Sequence, residues 1–428
     1  MSALVAWRAR ASRKPLVLNG ARQVGKTWLL KEFGRREFAN VAYVSLDNDA
    51  LARGFFEQDL DPAHIIASLS LQLDMDILPH ETLIVLDEVQ ACPKALTALK
   101  YFCEDAPEYA IAAAGSLLGI SATEGSGFPV GKVDTLDLHP LSFLEFAEAT
   151  GNGRFARLVS SGDMDMASSF AAHLTDVLKQ YYVVGGMPAV VAGFAQDGDY
   201  HAARAVQGQL LADYERDFAK HVPVRLLPRM MLVWQSLPGH LARENKKFVF
   251  GQVRTGARAG DFEEALVWLE QAGLIHKVRR VSKPGIPLGA YTDGKSFKVF
   301  MLDVGLLGAM SGLALEAILD GNAVFTEFKG ALTEQYVCQE LVASCSLSPF
   351  YWSAENSSGE IDFLVQSGGQ VYPIEVKAEE NLRAKSLRAF DERYAGMRPR
   401  RFSLSGYREE SWMTNVPLWA VGNAAIWL

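Results

Sequence analysis

Apolar runs alternate with amphipathic stretches over the first 150 residues, and this pattern predicts alternating strands and helices. The runs expected to form strands are residues 16–18, 41–46, 82–86, 110–114 and 133–138. Strands that alternate with helices build a parallel sheet covered on both faces, so we expect an α/β domain. Residues 82–86 are almost wholly apolar, as expected of a strand that is buried on both faces.

The central part of the chain changes to a helical pattern. Apolar residues at helical spacing over 151–222 predict a helical lid or extension of the first domain. Beyond it we expect two helices and then a third that starts at Asp261, with Glu264 completing a capping box. The runs 276–281 and 288–291 predict a β-hairpin, and helices followed by such a hairpin fit a winged helix.

The last hundred residues mix strands and helices again. We expect strands over 350–352, 360–365, 371–377 and 402–404, and helices over 331–342 and around Leu387 and Phe390. Side chains alternate along a strand, so Glu360, Asp362 and Leu364 are expected on one face, and Glu375 shares a face with Lys377.

The chain has 428 residues, which is too long for one ordinary domain. We predict an α/β domain over 1–150, the helical lid over 151–222, the winged helix over 223–310 and a second α/β domain over 311–428.

Composition is that of a soluble globular protein, with 49% hydrophobic and 21% charged residues. The net charge of −8 argues against a protein that coats nucleic acid indiscriminately, although a local basic patch is compatible with it. The four cysteines lack the spacing of a zinc site, and we expect reduced thiols. No apolar run is long enough to span a bilayer, so the sequence predicts a cytoplasmic protein without a membrane partner.

A glycine-rich loop joins the first strand to the first long helix of the α/β domain. It reads Gly20, Ala21, Arg22, Gln23, Val24, Gly25, Lys26, Thr27, which is the Walker A pattern in its required context. The backbone N–H groups of such a loop cradle phosphates. Lys26 is expected to reach the β- and γ-phosphates of ATP, and the Thr27 hydroxyl to ligate Mg²⁺.

Two further strand ends carry candidate residues for ATP hydrolysis. Asp87 and Glu88 follow the buried strand 82–86; we expect Asp87 to hold Mg²⁺ and Glu88 to polarise the attacking water, although such a pair also caps helices. Ser116 follows the strand 110–114 and is a candidate sensor of the γ-phosphate, with an ordinary serine at a strand end as the alternative.

Several segments together resemble a known family. They are the Walker A loop, Leu-Asp-Glu-Val-Gln at 86–90, Ala-Gly-Ser-Leu-Leu-Gly-Ile at 114–120, Phe-Pro-Val-Gly-Lys-Val at 128–133, Pro-Leu-Ser-Phe-Leu-Glu-Phe at 140–146, Gly-Gly-Met-Pro at 185–188 and 213–220. The chain resembles prokaryotic AAA-type P-loop ATPases of the AAA_14 kind that carry a C-terminal DUF4143 domain. The resemblance implies an ASCE-type parallel sheet, and it also suggests the winged helix.

A second set of candidate residues lies in the last domain. Asp362 and Glu375 are separated by twelve residues, and Lys377 lies two beyond. This order is similar to the PD-(D/E)xK nuclease core, in which a preceding helix often adds a glutamate, here Glu334. Asp362 and Glu375 would then hold a second divalent ion, and Lys377 would position the nucleophile. Two alternatives are a salt-bridged face and a nuclease-like fold kept for binding without cleavage.

The sequence leaves several features of a nucleic-acid partner open. Basic residues favour contact with DNA or RNA, namely Lys277, Arg279, Arg280 and Lys283 on the predicted wing with Lys246 and Lys247 upstream, whereas glutamates on the third helix oppose it. Arg154, Arg157 and Arg216 are candidates to complete the ATP site of a second copy in a homo-oligomer, with plain surface charge as the simpler interpretation.

Two functions fit these features. The first is a Mg²⁺-dependent ATPase that couples its nucleotide state to a winged-helix and nuclease-like half acting on nucleic acid. The second is a nucleotide-switched protein- or DNA-binding module that does not cleave.

Overall fold

The computed structural model describes residues 1–115, 129–243, 246–314, 323–354, 359–378 and 384–428, with side chains omitted at 323–327. The chain divides into two compact units. The first comprises Met1–His139 together with Gln271–Gly273, and the second comprises Pro140–Glu270 and Leu274–Leu428.

The first unit alternates strands and helices, as the sequence predicts. Its strands are β1 Leu16–Asn19, β2 Asn40–Ser45, β3 Thr82–Asp87, β4 Ala110–Ala114 and β5 Asp134–Asp137. Its helices are Ser2–Arg8, Lys26–Glu37, Ala50–Gln58, Pro62–Leu73 and Pro93–Asp105.

The strands described in the first unit form one sheet in the order β2-β3-β4-β1-β5, and every pairing is parallel. Hydrophobic cores cover both faces of this sheet, because alternate residues of β3 enter different cores. Ile84 and Leu86 belong to one core, while Leu83 and Val85 belong to the other. The predicted α/β domain with a parallel sheet is therefore confirmed.

The second unit begins with a largely helical region. Its helices are Phe143–Ala147, Gly153–Ser161, Met164–Ser168, Ala171–Val184, Pro188–Asp197, Tyr200–His221, Leu227–Leu241, Phe250–Val253 and Ala259–Gln271. Further along the chain lie the helices Val304–Met310, Ala323–Ala343 and Lys385–Arg393.

The remaining strands form a mixed sheet in the second unit. They are β6 Ile275–Val281, β7 Thr292–Met301, β8 Phe350–Ser353, β9 Glu360–Ser367, β10 Gln370–Val376, β11 Arg400–Ser403, β12 Arg408–Glu409 and β13 Thr414–Pro417. Over the described ranges their order is β12-β13-β11-β10-β9-β8-β6-β7. The helix Lys385–Arg393 packs on β9 and β10 through Leu387 and Phe390.

The predicted wing differs from the observed structure. Residues 288–291 form a 3₁₀ turn, and the strand that pairs with β6 starts later, at Thr292. The other edge of β6 pairs with β8 in parallel, so β6 lies inside the mixed sheet. The predicted boundary at 310 consequently falls between strands of one sheet, and the winged helix stays a prediction.

Two smaller expectations also need correction. The third helix of the central region starts at Ala259, and the Asp261 carboxylate accepts a hydrogen bond from the Arg258 N–H at 2.9 Å, so Asp261 lies inside the first turn. The register between β8 and β9 shifts at a bulge. Leu364 therefore joins the same hydrophobic cluster as Ile361, instead of sharing a face with Asp362.

Candidate functional site

The Walker A loop lies between β1 and the helix Lys26–Glu37, and its glycines are required by two separate constraints. Gly25 adopts a left-handed conformation with φ 93° immediately before the helix. A Cβ atom at Gly20 would lie 2.5 Å from the carbonyl oxygen of Leu138. The second constraint comes from β5, which runs beside β1 and brings Leu138 close.

Lys26 is buried and turns back onto its own loop. Its Nζ donates hydrogen bonds to the carbonyl oxygens of Gly20 at 3.0 Å and Ala21 at 2.8 Å. Burial lowers the pKa of Lys26 to about 8, although Glu88 and Asp87 act in the opposite direction. Lys26 therefore lies against the loop, and Glu88 and Asp87 compensate its charge only in part.

The predicted Mg²⁺ ligands lie together at the carboxyl edge of the sheet. The Thr27 hydroxyl donates to Asp87 Oδ2 at 2.7 Å, and Asp87 itself is buried at the end of β3. The structure thus joins a hydroxyl from the loop and a carboxylate from the central strand, as the sequence predicts. Hydroxyl and carboxylate oxygens are hard ligands that suit Mg²⁺, so these residues fit the ion.

Tyr43 is a site residue that the sequence analysis missed. Its hydroxyl donates to the same Asp87 Oδ2 at 2.9 Å, from the neighbouring strand β2. Burial and this hydrogen bond raise the pKa of Tyr43 to about 12, so the phenol remains a donor. No local motif marks it, because the contact depends on the pairing of β2 with β3.

Glu88 adopts a left-handed backbone conformation, with φ 51° and ψ 46°, directly after β3. Gln90 Nε2 donates a hydrogen bond to its carboxylate. A non-glycine residue in this conformation is uncommon and often marks a functional position. Ser116, the candidate γ-phosphate sensor, lies outside the described residues.

The second group of predicted residues also comes together. Asp362 Oδ2 accepts a hydrogen bond from the Val376 N–H at 2.7 Å, which places the carboxylate beside the segment that carries Glu375 and Lys377. Lys377 Nζ lies 2.8 Å from Glu375 Oε1. Burial and the charge of Glu334 raise the pKa of Asp362 to about 7. The predicted set is therefore spatially coherent.

Two lysines that the sequence analysis did not assign to this set contact it directly. Lys246 forms an ion pair with Glu334, and Lys298 Nζ lies 2.5 Å from Glu360 Oε1 and 3.8 Å from Glu334 Oε2. Burial would raise the pKa of Glu334, but Lys246 and Lys298 lower it overall. We call Glu334, Glu360, Asp362, Glu375, Lys246, Lys298 and Lys377 the C-terminal charged cluster.

The charged cluster does not fit a divalent ion well. One oxygen of each carboxylate already contacts a lysine or accepts from the backbone, and the buried Glu334 Oε2 and Glu375 Oε2 are left without a hydrogen bond. Within the described parts of the chain, no group of three or more acidic, histidine or cysteine residues has the arrangement of a metal site. The predicted second ion therefore lacks support from this geometry.

The cations of the predicted wing have local partners. Arg280 pairs with Asp293 at 3.0 Å, and Arg279 pairs with Glu270 at 3.4 Å. Lys277 lies over the ring of Phe297, and Lys283 lies over that of Tyr291. Three arginines are candidates to complete the ATP site of a second copy. Arg216 forms an exposed ion pair with Asp213, and Arg154 and Arg157 are also exposed.

The comparison with family models decides the class of the first unit. Residues 12–147 match an AAA domain, AAA_14. Residues 329–418 match the DUF4143 model, a domain of unknown function, and residues 175–317 match a second domain of unknown function, DUF8612. The expected AAA-type ATPase domain and DUF4143 domain are thus confirmed, and the AAA assignment supports ATP binding and hydrolysis. None of the curated proteins compared with the chain matches it.

Solved structures show more distant likenesses. The Walker-type ATPase PABY2304 of Pyrococcus abyssi is 13% identical at a TM-score of 0.43, covering 69% of this chain and 91% of its own. ORC1 of Aeropyrum pernix, solved in complex with DNA, is 14% identical at a TM-score of 0.28, and the match covers 74% of this chain and 91% of the ORC1 chain. Cdc6p of Pyrobaculum aerophilum is 11% identical at a TM-score of 0.24, and the match covers 72% of this chain and 88% of the Cdc6p chain. These scores lie below 0.5, so the fold assignment rests on the strand order and the family match.

Within the described residues, none of the helices combines the length and the apolar character needed to cross a bilayer.

Proposed function

We propose that this chain is a Mg²⁺-dependent ATPase whose nucleotide state controls a C-terminal half that engages nucleic acid. The observation that carries the ATPase part is the hydrogen bond from Thr27 to Asp87, with Lys26 buried in the adjoining loop. Thr27 and Asp87 would hold the ion, which neutralises phosphate charge when bound. Glu88 would orient and polarise the attacking water.

Lys26 and the loop divide the remaining work. The backbone N–H groups from Gly20 to Thr27 would bind the phosphate oxygens. The loop can follow its course beside Leu138 because Gly20 has no Cβ atom to collide with the Leu138 carbonyl oxygen. When ATP binds, the Lys26 ammonium would give up its hydrogen bonds to the Gly20 and Ala21 carbonyl oxygens and would bind phosphate oxygens instead. The negative phosphate charge would stabilise the charged form of Lys26, which burial disfavours. Tyr43 would keep the Asp87 carboxylate oriented.

The test compares ATP binding with ATP turnover. Lys26→Ala should lose both, whereas Glu88→Gln should bind ATP and lower turnover by a factor on the order of 10² to 10⁴, because it removes only the polarisation of water. Lys100→Ala removes an exposed lysine of the same unit and serves as the matched control. Unchanged turnover in Lys26→Ala would refute the ATPase assignment.

For the C-terminal half, the proposal is a nuclease-like arrangement that binds nucleic acid. Support comes from the approach of Asp362 to the segment holding Glu375 and Lys377. Incubation with single- and double-stranded DNA and RNA, with ATP and Mg²⁺ or Mn²⁺ varied separately, tests binding and cleavage together. Divalent-dependent cleavage that Asp362→Asn abolishes would establish a nuclease.

Binding without cleavage is the second candidate, and a particular observation favours it. Lys246 and Lys298 already pair with Glu334 and Glu360, which belong to the same charged cluster as the predicted ligands Asp362 and Glu375. Nucleic-acid binding whose affinity falls steeply with salt, with no cleavage under any combination of ions, would fit this candidate.

A further inference from the structure

The C-terminal charged cluster contains two lysines that are almost completely withdrawn from solvent. Lys298 is 1% exposed and Lys246 is 8% exposed. Lysines are almost never so buried unless they are paired. Each has a definite partner here, since Lys246 pairs with Glu334 and Lys298 lies near both Glu334 and Glu360.

The backbone delivers both lysines to the same place. Lys298 lies on β7, which forms one edge of the mixed sheet over the described strands. The segment that carries Lys246 runs antiparallel beside it, through a bridge between Lys247 and Lys298 and a hydrogen bond from the Phe248 N–H to the Phe297 carbonyl at 2.8 Å. Pairing of these two segments therefore fixes two ammonium groups against the helix that carries Glu334.

Charge in the cluster is close to balanced without any ion. Glu334, Glu360, Asp362 and Glu375 face Lys246, Lys298 and Lys377. Two ammonium groups carry the same total charge as one divalent cation, and each supplies three hydrogen-bond donors to carboxylate oxygens. A Mg²⁺ ion instead requires several free oxygens at about 2.1 Å, whereas one oxygen of each of these carboxylates is already engaged by a lysine or by the Val376 N–H.

We propose that Lys246 and Lys298 replace the divalent cation in this nuclease-like core, so that the C-terminal site is held together internally and does not bind metal. The two lysines neutralise Glu334 and Glu360, so their ammonium groups supply the positive charge that a divalent ion would bring to the cluster. The site then lacks the ion that activates water. This inference concerns metal binding in the second unit and stands independently of the ATPase proposal.

The experiment measures Mn²⁺ binding by electron paramagnetic resonance on the full chain without nucleotide. Asp87→Asn is present in every sample, so that the first unit does not contribute an ion. We expect no bound Mn²⁺ in this parent. Lys246→Met with Lys298→Met frees the carboxylates and should create one site, seen as a rise from zero to one bound Mn²⁺ per chain. Adding Asp362→Asn should remove that site.

Lys247→Met is the matched control, because Lys247 is the exposed neighbour of Lys246; its Mn²⁺ binding should equal that of the parent. Mn²⁺ bound by the parent and lost in Asp362→Asn or Glu375→Gln would overturn the proposal, as would a folded double-lysine variant that gains no site. If the double-lysine variant does not fold, the parent alone decides: absence of binding supports lysine replacement, and Asp362-dependent binding refutes it.

Discussion

Tyr43 shows how a single side chain outside any motif can set the geometry of the ATP site. Its hydroxyl and that of Thr27 both donate to Asp87 Oδ2. Tyr43→Phe removes only the hydroxyl, and we expect the apparent affinity for Mg²⁺ in ATP hydrolysis to fall by roughly 10-fold to 100-fold, the usual effect of losing a group that orients a metal ligand.

A Mg²⁺ titration of ATP turnover checks this expectation, with thermal unfolding measured in parallel. Tyr101→Phe, on the helix Pro93–Asp105, is the control for removal of a tyrosine hydroxyl elsewhere in the unit. If the Mg²⁺ dependence of Tyr43→Phe matches that of the unaltered chain, Tyr43 does not orient Asp87.

Lys26 should make ATP binding depend on pH. Burial lowers its pKa to about 8 from 10.5, so the nucleotide-free protein loses this charge as the pH rises through 8. Phosphates bind the charged form, so ATP affinity should be constant below that pH and fall by about 10-fold per pH unit above it. Binding at alkaline pH should take up a proton, which calorimetry in buffers of different ionisation enthalpy measures.

Arginine keeps its charge over this range, so Lys26→Arg is expected to flatten the pH dependence even where its affinity is lower. Lys26→Met, which never carries a charge, should show weak binding without proton uptake. Equal proton uptake by the unaltered chain and by Lys26→Met would assign the titration to another group.

At the scale of secondary-structure elements, the Gly185 and Gly186 motif links parts of the second unit that are distant in sequence. The Gly186 N–H donates to Asp303 Oδ2 at 2.6 Å, and its carbonyl accepts from the Leu141 N–H at 2.7 Å. A Cβ atom at Gly186 would lie 2.0 Å from the Leu141 carbonyl oxygen. The segments 140–146 and 185–188, which carry part of the family resemblance, thus contact one another and have a structural role.

Gly186→Ala should consequently destabilise the second unit by about 2 kcal/mol or more, because backbone on both sides must move. Gly193→Ala is the control: Gly193 lies inside the helix Pro188–Asp197, and a Cβ atom there meets nothing within 4 Å. This control should gain up to about 1 kcal/mol from helix propensity. Chemical denaturation measures both variants, and comparable effects of the two would contradict the close-contact explanation.

The helix Ala323–Ala343 buries polar side chains that tie several elements together. Gln335 contacts the backbone of Met301, and Gln339 accepts from the Val304 N–H. Glu340 accepts from the Phe143 N–H at 2.8 Å and from the Ser344 hydroxyl. Burial raises the pKa of Glu340 to about 7, so its charged form is costly in the folded state.

This shift fixes the sign of a pH effect on stability. The pKa of Glu340 in the folded state, about 7, exceeds the reference value of 4.5. The favourable contribution of Glu340 to the free energy of unfolding is therefore fully present below pH 4.5 and is lost as the pH rises through 7. Glu340→Gln should therefore stabilise the protein at alkaline pH by roughly 2 to 3 kcal/mol, and the difference should vanish at acidic pH. Denaturation across this pH range, with exposed Glu148→Gln as control, tests the sign; a pH-independent difference would contradict it.

How much the sequence could predict also varies with the element. β4 was predicted to the residue and β3 to within one residue, because both are buried on two faces and therefore read as apolar runs. Gly34 is of a residue type that often follows the end of a helix, yet it lies inside the helix Lys26–Glu37. Its missing side chain instead makes room for Val41, since a Cβ atom would lie 2.4 Å from Val41 Cγ2.

Long-range pairing explains what the sequence could not predict. Lys246 lies near Lys298 in the charged cluster because the segment before Phe248 pairs with β7. One local signal was available, since Lys298 interrupts the apolar run Phe297, Val299 and Phe300, and a lysine inside a buried strand requires a partner. The identity of that partner depends on topology.

For the whole molecule, the central question is whether ATP and nucleic acid affect one another's binding. If ATP changes nucleic-acid affinity, nucleic acid must change ATP affinity by the same factor, because the coupling free energy is shared. A coupling of about 1 to 3 kcal/mol corresponds to roughly 5-fold to 150-fold. Glu88→Gln, which should bind ATP without consuming it, allows both affinities to be measured at equilibrium.

The measurement is fluorescence anisotropy of a labelled DNA duplex with and without ATP and Mg²⁺, followed by ATP titration with and without that duplex. Equal factors in the two directions establish coupling, and a DNA affinity that falls with salt assigns the contact to phosphates. Lys26→Ala should bind DNA with the affinity of the nucleotide-free protein whether ATP is added or not. DNA binding that ATP leaves unchanged in Glu88→Gln would separate the two activities and refute nucleotide control of the C-terminal half.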